Sequence, residues 1–466
     1  MDIRFTLQAQ YAGAEYTAGP FNLYGYTATT SVSAFTLASG ITKQQLLTGY
    51  TVTTGLNIVS GYIQSTGTCS TTPPEAYTLQ FSGGPVIIGT FSNYGANSDV
   101  GIVKLSNTLA LDTTFNVGSG FGFGANTSTT EGGPFTIVKS SNGKIVVAGS
   151  FTSYDGVTSY GIVRLNPDGS RDYTFSALGT TFINRTIMSV DVQPNGKIIV
   201  GGSSFVSVLI TGAGAGMLFR LNLDGSLDSS FNVSQSLLTG TVRVVKVLPQ
   251  DNNNILVASN GIALFKVNST GTAVTFPVTN INPPTTSDGL GSIQCLELDS
   301  SGRIMIGGAW SSIFNTAVPN PIRISASGVL DTNWYPRCTG GGGTATSMVE
   351  SNASTNEVVI VGNFTTVGLS PISKPGIVKV NTTGGILSFT SAATFDTSID
   401  PTNPWFPGSR VSVLTNGNVL WIGKMSSVNN NNSLKNIVVL DPSTGTPVTQ
   451  TTGLSNLAIY RDSVSF

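Results

Sequence analysis

The stretch NGKIVVAGSF (residues 142–151) recurs as NGKIIVGGSSF (residues 195–205), with two substitutions and one insertion. Its centre is an apolar run bounded by Asn-Gly, which has the form of a buried strand entered through a tight turn. Near-identical segments at this spacing are the mark of an array, so the repeat is read before any motif. Alignment on the apolar run finds seven copies: PVIIGTF at Pro85, KIVVAGSF at Lys144, KIIVGGSSF at Lys197, NILVASNG at Asn254, RIMIGGAW at Arg303, EVVIVGNF at Glu357 and NVLWIGKM at Asn418. They are spaced by roughly fifty to sixty residues.

Each copy is preceded by an alternating run that ends in turn residues, such as TIVKSSNG or SVDVQPNG. Each is followed by a second apolar run and another turn, as in GIVRLNPDGSRDYTF and LFRLNLDGSLDSSF. One unit therefore reads strand, tight turn, strand, longer loop, strand, tight turn, strand. Four short antiparallel strands repeated seven times predict an all-β chain, a seven-bladed β-propeller of four-stranded antiparallel blades. A closed ring buries every blade between two neighbours, which no single unit achieves alone. A sandwich or an open solenoid is the alternative architecture, and the weak tail ending in VSF is either part of the seventh unit or a closing strand. Asn-Gly before the strand predicts a two-residue hairpin turn with positive φ.

The string NGKIVVAGSF…RLNPDGSRDYTF resembles the delta-60 repeat family, propeller-forming repeats found in large bacterial and phage proteins. The resemblance is strongest over residues 134–176 and 187–233 and recognisable over 77–116, 292–334 and 346–389. It is weak over 242–276 and 409–450, and the fourth unit lacks the acidic residue of its neighbours. The resemblance implies a fold and supplies no catalytic residues.

Residues 1–73 fall outside the repeat and read as a small β module of their own, with Thr/Tyr-rich alternation in GPFNLYGY, ITKQQLLTGYTVTT and GYIQSTGTC. This order is similar to short β modules that precede distal domains in phage virion (tail or fibre-type) proteins. The Pro pair in STTPPEAY (residues 70–77) predicts a stiff joint. The domains expected are thus an attachment module over 1–73 and a propeller over 74–466.

Composition narrows the chemistry. Charged residues make up 10% of the chain and the net charge is −1, which argues against a nucleic-acid groove or an anionic membrane surface. With no histidine, Ser–His and Cys–His nucleophiles and His-based zinc sites are excluded. Three cysteines, Cys69, Cys295 and Cys338, share no close spacing and read as reduced packing residues. The start MDIRFTLQAQY carries an early acid and no apolar segment, so no secretory signal is expected. The uncharged stretch SSFVSVLITGAGAGMLF (residues 203–219) is broken by Gly and Ser and falls short of the length of a membrane helix, so no membrane insertion is expected.

Among candidate sites, NPDGSRD (residues 166–172) and NLDGSLD (residues 222–228) space oxygens as calcium loops do, but lack the later bidentate Glu. Asp112, Asp172, Asp228 and Asp331 occupy one slot in four units, each three residues before an aromatic (Phe115, Phe175, Phe231, Trp334), and read as a turn and packing device. The Gly-rich stretches at 118–126 and 338–347 lack the ending of a phosphate loop. A carboxylate pair for glycoside hydrolysis would have to be assembled across the channel from scattered Glu and turn-bound Asp. No catalytic, metal or cofactor residues are assigned, and an enzyme is not expected.

The second turn and the inter-blade connection vary in length while the other turns are uniform, and both variable segments emerge on one face. Tyr154, Tyr160, Phe314, Tyr335, Trp405 and Phe406 are the aromatic candidates on that face, Trp405 the most exposed of them; Trp310, directly after a strand, reads as core. The expected role is that of a virion structural protein, a tail, collar or head appendage located on the particle and present in several copies. Residues 1–73 would dock on other virion proteins, and the variable face would bind a host-surface glycan or protein. A bacterial cell-surface or secreted propeller is the alternative, and a carbohydrate-active enzyme the third.

Overall fold

The computed structural model describes residues 2–7, 21–27, 35–41, 50–53, 58–65, 77–82 and 84–465, the last with interruptions at 92–99, 108, 123–132, 141–142, 177–185, 204–215, 239, 260–263, 277–280, 283–292, 309, 311, 314–319, 341–342, 396–408, 424, 432, 434–435 and 449–458. Two compact units emerge: Met1–Pro85 with Leu414–Asn416 and Ser465–Phe466, and Val86–Val413 with Gly417–Val464.

The first unit holds two antiparallel three-stranded sheets. In one, Asp2–Leu7 lies between Tyr50–Thr53 and Tyr77–Ser82; in the other, Phe21–Thr27 lies between Phe35–Ile41 and Ile58–Ser65. Tyr77–Ser82, which the repeat alignment places at the head of the first propeller unit, pairs with Asp2–Leu7 in the register Ile3↔Phe81. Of the joint expected over residues 70–77, residues 70–76 lie outside the described residues and Tyr77 opens the strand Tyr77–Ser82.

In the second unit every aligned copy of the repeat is the middle strand of a sheet. These are Pro85–Thr90, Ile145–Ser150, Ile198–Ser203, Asn254–Ser259, Ile304–Gly308, Glu357–Asn363 and Val419–Gly423. Inner strands precede six of them: Gly133–Lys139, Thr186–Val192, Val242–Leu248, Ile293–Leu298, Thr344–Asn352 and Ser409–Val413. The inner strand of the first sheet is instead the chain's last strand, Ile459–Ser465, so the tail is the closing strand while the seventh unit keeps a sheet of its own.

Successive sheets pack face to face, and the side-chain period of two divides each middle strand between its neighbours. Ile198 and Val200 join Val146, Ala148 and Ile162 of the preceding sheet, whereas Ile199 joins Val245, Ile255 and Val257 of the following one. Both faces of the strand are therefore covered, which is why KIIVGG reads as an unbroken apolar run. The same division places Leu256 with Ile304 and Val359 with Val419. These sheets, arrayed in sequence order, form a β-propeller.

Two local features differ from the sequence reading. The fourth strand is reduced to a single bridge in most units, as at Leu105↔Leu111, Leu165↔Arg171, Leu221↔Leu227 and Ile324↔Leu330; among the described residues only the fourth sheet keeps a full one, Ala273–Val274. In the units just named the aspartate that follows holds the turn, whereas the sixth keeps the same single bridge, Val380↔Ile386, with Leu387 in that place. The Asp172 side chain accepts the backbone N–H of Thr174, and its carbonyl accepts that of Phe175, so the chain turns before a second pair can form. The Asn-Gly turns also depart from a two-residue hairpin. Gln193 and Lys197 are bridged by Gln193 N–H to Lys197 C=O, and only Gly196 has positive φ, at 82°, so glycine follows the turn as the left-handed residue of a three-residue loop.

Candidate binding site

The repeated acids belong to the end of the sheets that carries the uniform turns. Asp172 Oδ2 accepts Arg164 Nε at 2.6 Å and Lys144 Nζ at 2.8 Å. The Arg164 guanidinium lies 4.7 Å from the Phe175 ring centroid and also donates to the carbonyl of Leu223 in the next sheet. The third sheet repeats the set: Arg220 to Asp228 at 2.7 Å, over Phe231 at 5.0 Å, and to Ser269 C=O at 2.6 Å. The fifth does so with Arg323, Asp331, Trp334 and the carbonyl of Thr382. Each cation thus ties its own turn, its own aromatic and the following sheet together. The fourth unit, which lacks the acid in that slot, keeps the cation: Lys266 pairs with Asp251 at 2.9 Å and reaches Ala326 C=O at 3.2 Å. In the sixth, Lys379 pairs with Glu357 and reaches Pro442 C=O. The acid changes place, but the crossing cation does not.

Burial alone would raise the carboxyls of Asp172 and Asp228. The hydrogen bonds from Lys144, Thr174 and Arg164, and from Lys197, Ser230 and Arg220, outweigh it and hold both well below the usual carboxylate range. Asp168, in the segment spaced like a calcium loop, accepts Ser170 N–H and Oγ–H within its own turn while Asp172 faces Arg164, so these acids do not converge.

At the opposite end, connection and second turn are hydrogen-bonded to each other. Phe121–Gly122, in the connection entering the second sheet, pairs with Ser153–Tyr154, which pairs in turn with Val157–Thr158. Ile281–Asn282 pairs with Ser312–Ile313, Cys338–Thr339 with Thr366–Val367, and Ala393–Phe395 with Met425–Val428. The two variable segments of a unit are therefore zipped into one small sheet.

The aromatic candidates separate on this frame. Tyr154 is fully buried, its hydroxyl donates to Gly169 C=O at 2.7 Å, and burial, with Asp155 and Asp168 nearby, pushes its phenol up. This corrects its assignment to the binding face: the ring is an internal strut, edge-on to Phe121 at 5.0 Å. Tyr160 and Tyr335 are half-buried against the core, as is Trp310. Phe314, Trp405 and Phe406 lie outside the described residues. Among the described residues, the large hydrophobics that the loop end exposes are aliphatic: Val157 at 38%, Leu369 at 79% and Ile372 at 49%. Leu369 and Ile372 flank Pro371 at the tip of the hairpin made by Thr366–Val367 and Ile372–Ser373. A reading keyed to aromatics passes over GLSPI, whose signal is two apolar residues around a proline in a turn.

Six inner strands surround one cavity of about 280 Å³. Near the loop end, five of them shift register at the same place, between Pro134/Thr136, Ile187/Ser189, Val242/Val244, Ile293/Cys295 and Ala345/Ser347. The inserted residues Phe135, Met188, Arg243 and Gln294 all line the cavity, forming an upper tier. Deeper, Asp191, Lys246 and Glu297 form a charged tier, with Lys246 Nζ 2.6 Å from Glu297 Oε2. Asp191 accepts Val247 N–H of the adjacent inner strand at 2.8 Å; its burial raises its carboxyl, against the opposing pull of Lys246. Cys295 and Cys338 are buried and unpaired; burial pushes the Cys295 thiol up to about 12 and raises that of Cys338, which keeps both as thiols.

Residues 86–115, 140–175 and 193–231 match a family described as a β-propeller domain of unknown function, DUF5122. They span the middle strand and the following turn of the first three units. No curated protein matches the chain. Similar solved structures include the Pan2 WD40 domain of Neurospora crassa, 12% identical with 72% of this chain and 86% of that chain covered and a TM-score of 0.42. A streptogramin B lyase is 11% identical, with 74% and 91% covered and a TM-score of 0.40. The extracellular domain of the one-component system BT4673 of B. thetaiotaomicron is 13% identical with a TM-score of 0.40; 73% of this chain is covered, which spans 36% of that one.

Proposed function

We propose that this chain is a non-catalytic recognition module in which the seven sheets close into a seven-bladed ring and the loop end takes a macromolecular partner. The observation that carries the reading is the contrast between the two ends. Six carboxylates of the turn end and its strands, Asp112, Asp172, Asp228, Asp251, Asp331 and Glu357, are each held by a lysine or arginine that helps to lock the ring. The loop end instead carries small hydrogen-bonded sheets of differing length; exposed apolar side chains occur at both ends, Val157, Leu369 and Ile372 here and Tyr173, Leu223, Leu227 and Val329 at the turn end. Rigid presentation of variable loops is how scaffolds build binding surfaces.

Such a module works at the outside of a cell or a particle. A bacterial cell-surface or secreted propeller is one setting, supported by the resemblance of the repeats to delta-60 propellers. A phage particle is the other, supported by the resemblance of residues 1–73 to virion attachment modules, which would dock on virion proteins and present several propellers for avidity.

The test is binding of the purified full-length chain to intact bacterial cells, with Leu369→Ser/Ile372→Ser as the comparison. Saturable binding that the double variant lowers at least tenfold supports the reading. Binding that is unchanged by the variant, or turnover of a glycan with no stable binding, overturns it. Protein mass spectrometry of purified particles against cell-surface fractions separates the two settings.

A further inference from the structure

The sixth unit sets a cation beside its exposed loop tip, with no carboxylate in either loop to meet it. In the small sheet of that unit Cys338 stands opposite Val367, and Val367 opposite Ile372. Arg337 comes one residue before Cys338, and its carbonyl accepts Gly368 N–H at 3.2 Å, so it borders the turn that carries Leu369 and Ile372. Residues 335–343 and 364–376 contain no Asp or Glu; their cations are Arg337 and Lys374, and Lys374 donates to Phe389 C=O. The other lysines and arginines with described side chains are likewise engaged. Among the described residues the Arg337 side chain has no hydrogen bond or ion pair, and its Nε is buried without an acceptor. Its charge reaches Tyr335, pulling down a phenol that burial and Asp331 push up.

The backbone singles out the same residue. Of the described non-glycine residues with positive φ, six are Asn and one is Asp, types that tolerate the left-handed region. The other two are Leu109, buried in the core, and Arg337, half-buried at φ 56°. Packing accounts for Leu109 but not for Arg337. A strained position held by arginine, where Asn or Gly would sit at less cost, indicates a use for the side chain.

We propose that Arg337, Leu369 and Ile372 form one docking spot for a protein segment in which a carboxylate is flanked by apolar residues. The proposal rests on the reading that the loop end takes a macromolecular partner, and it names that partner's chemistry. A guanidinium takes a carboxylate in a planar, two-point contact, and apolar neighbours that exclude water strengthen it. Leu369 and Ile372, with Pro371 between them, supply that apolar surface. A protein segment fits the pairing better than an acidic glycan. Aliphatic side chains bury against other apolar side chains, whereas a sugar acid would set hydroxyls against Leu369 and Ile372. Arginine is also among the residues that anchor protein interfaces.

A displayed library of random peptides is selected on the purified full-length chain, and the best peptide is synthesised. Selected peptides should carry Asp or Glu next to Leu, Ile, Val or Phe, and replacing those acids by their amides should weaken binding about tenfold or more. Arg337→Asn should bind the peptide about tenfold or more weakly while melting no lower than the parent, because Asn accepts the positive φ. An arginine kept only for structure would instead lower the melting temperature when replaced. Arg337→Lys should keep part of the binding, and Leu369→Ser/Ile372→Ser should lose most of it. Should Arg337→Asn fail to fold, the double variant and the amide peptide decide. No enriched peptide, enrichment without acids, or unchanged affinity in Arg337→Asn overturns the proposal. Tighter binding of an oligogalacturonide than of the peptide assigns the spot to an acidic glycan and overturns it as well. Cell binding is read separately: its loss in Leu369→Ser/Ile372→Ser with full retention in Arg337→Asn keeps the recognition reading and removes this one, and peptide capture by a chain that binds no cells does the reverse.

Discussion

The two ends of the propeller sheets solve opposite problems with the same repeat. At the turn end a cation in six of the seven units binds an acid, and in most of these it also covers an aromatic and crosses to the next sheet; the device survives even where the acid has moved, as with Asp251 and Glu357, while the seventh unit has Val439 in that place. At the loop end hydrogen bonding joins connection to second turn, but the residues displayed differ from unit to unit. Packing of one sheet on the next depends on geometry that most units share, so it constrains side chains; recognition depends on differences, so only the backbone scaffold is held constant.

That contrast can be broken first at its most constrained point. Asp228→Ala leaves the buried Arg220 without its carboxylate and should cost about 3–5 kcal/mol in urea unfolding. The same residue predicts the acid behaviour. Its folded carboxyl lies below the ordinary value, as does that of Asp172, so their contribution is complete above about pH 4 and is lost as pH falls toward the folded values. Asp228→Asn should therefore show a shallower loss of stability below pH 4 than the parent chain, and an identical acid profile would remove the carboxylate from the closure device. Next comes a residue at the seam of the two ends. Tyr154→Phe removes the hydroxyl that satisfies Gly169 C=O and should cost about 1 kcal/mol, with cell binding unchanged; a loss of binding at equal stability would return Tyr154 to the recognition surface. The smallest effect is expected at the loop tip, where Leu369→Ser/Ile372→Ser should shift stability by less than about 0.5 kcal/mol, both side chains being exposed.

The middle strands were legible because both of their faces are covered, so KIVVAG and EVVIVG read as unbroken apolar runs wherever the repeat recurs. The turn device was legible because its acid and aromatic sit three residues apart. What escaped has a physical reason in each case. The fourth strand looks like a strand up to Arg171, but Asp172 bends the chain one residue later. The bulges add one residue to an alternation and leave no composition signal. Tyr154 looks like an exposed loop aromatic until Gly169 is seen to face its hydroxyl. Pairing of Ile459–Ser465 with Pro85–Thr90 joins segments too far apart in sequence to leave any local pattern, and so Tyr77–Ser82 took that place in the alignment.

That long-range pairing sets a timetable for synthesis. At about 5–20 residues per second, on the order of 20–70 s separate the emergence of Pro85–Thr90 from that of the strand that covers it. Throughout that interval the first sheet offers a hydrophobic edge, with Val86, Ile87 and Ile88 destined for full burial. Until the last strand emerges the first sheet lacks its inner strand, and that edge is open to pairing with the same edge of another copy on a neighbouring ribosome.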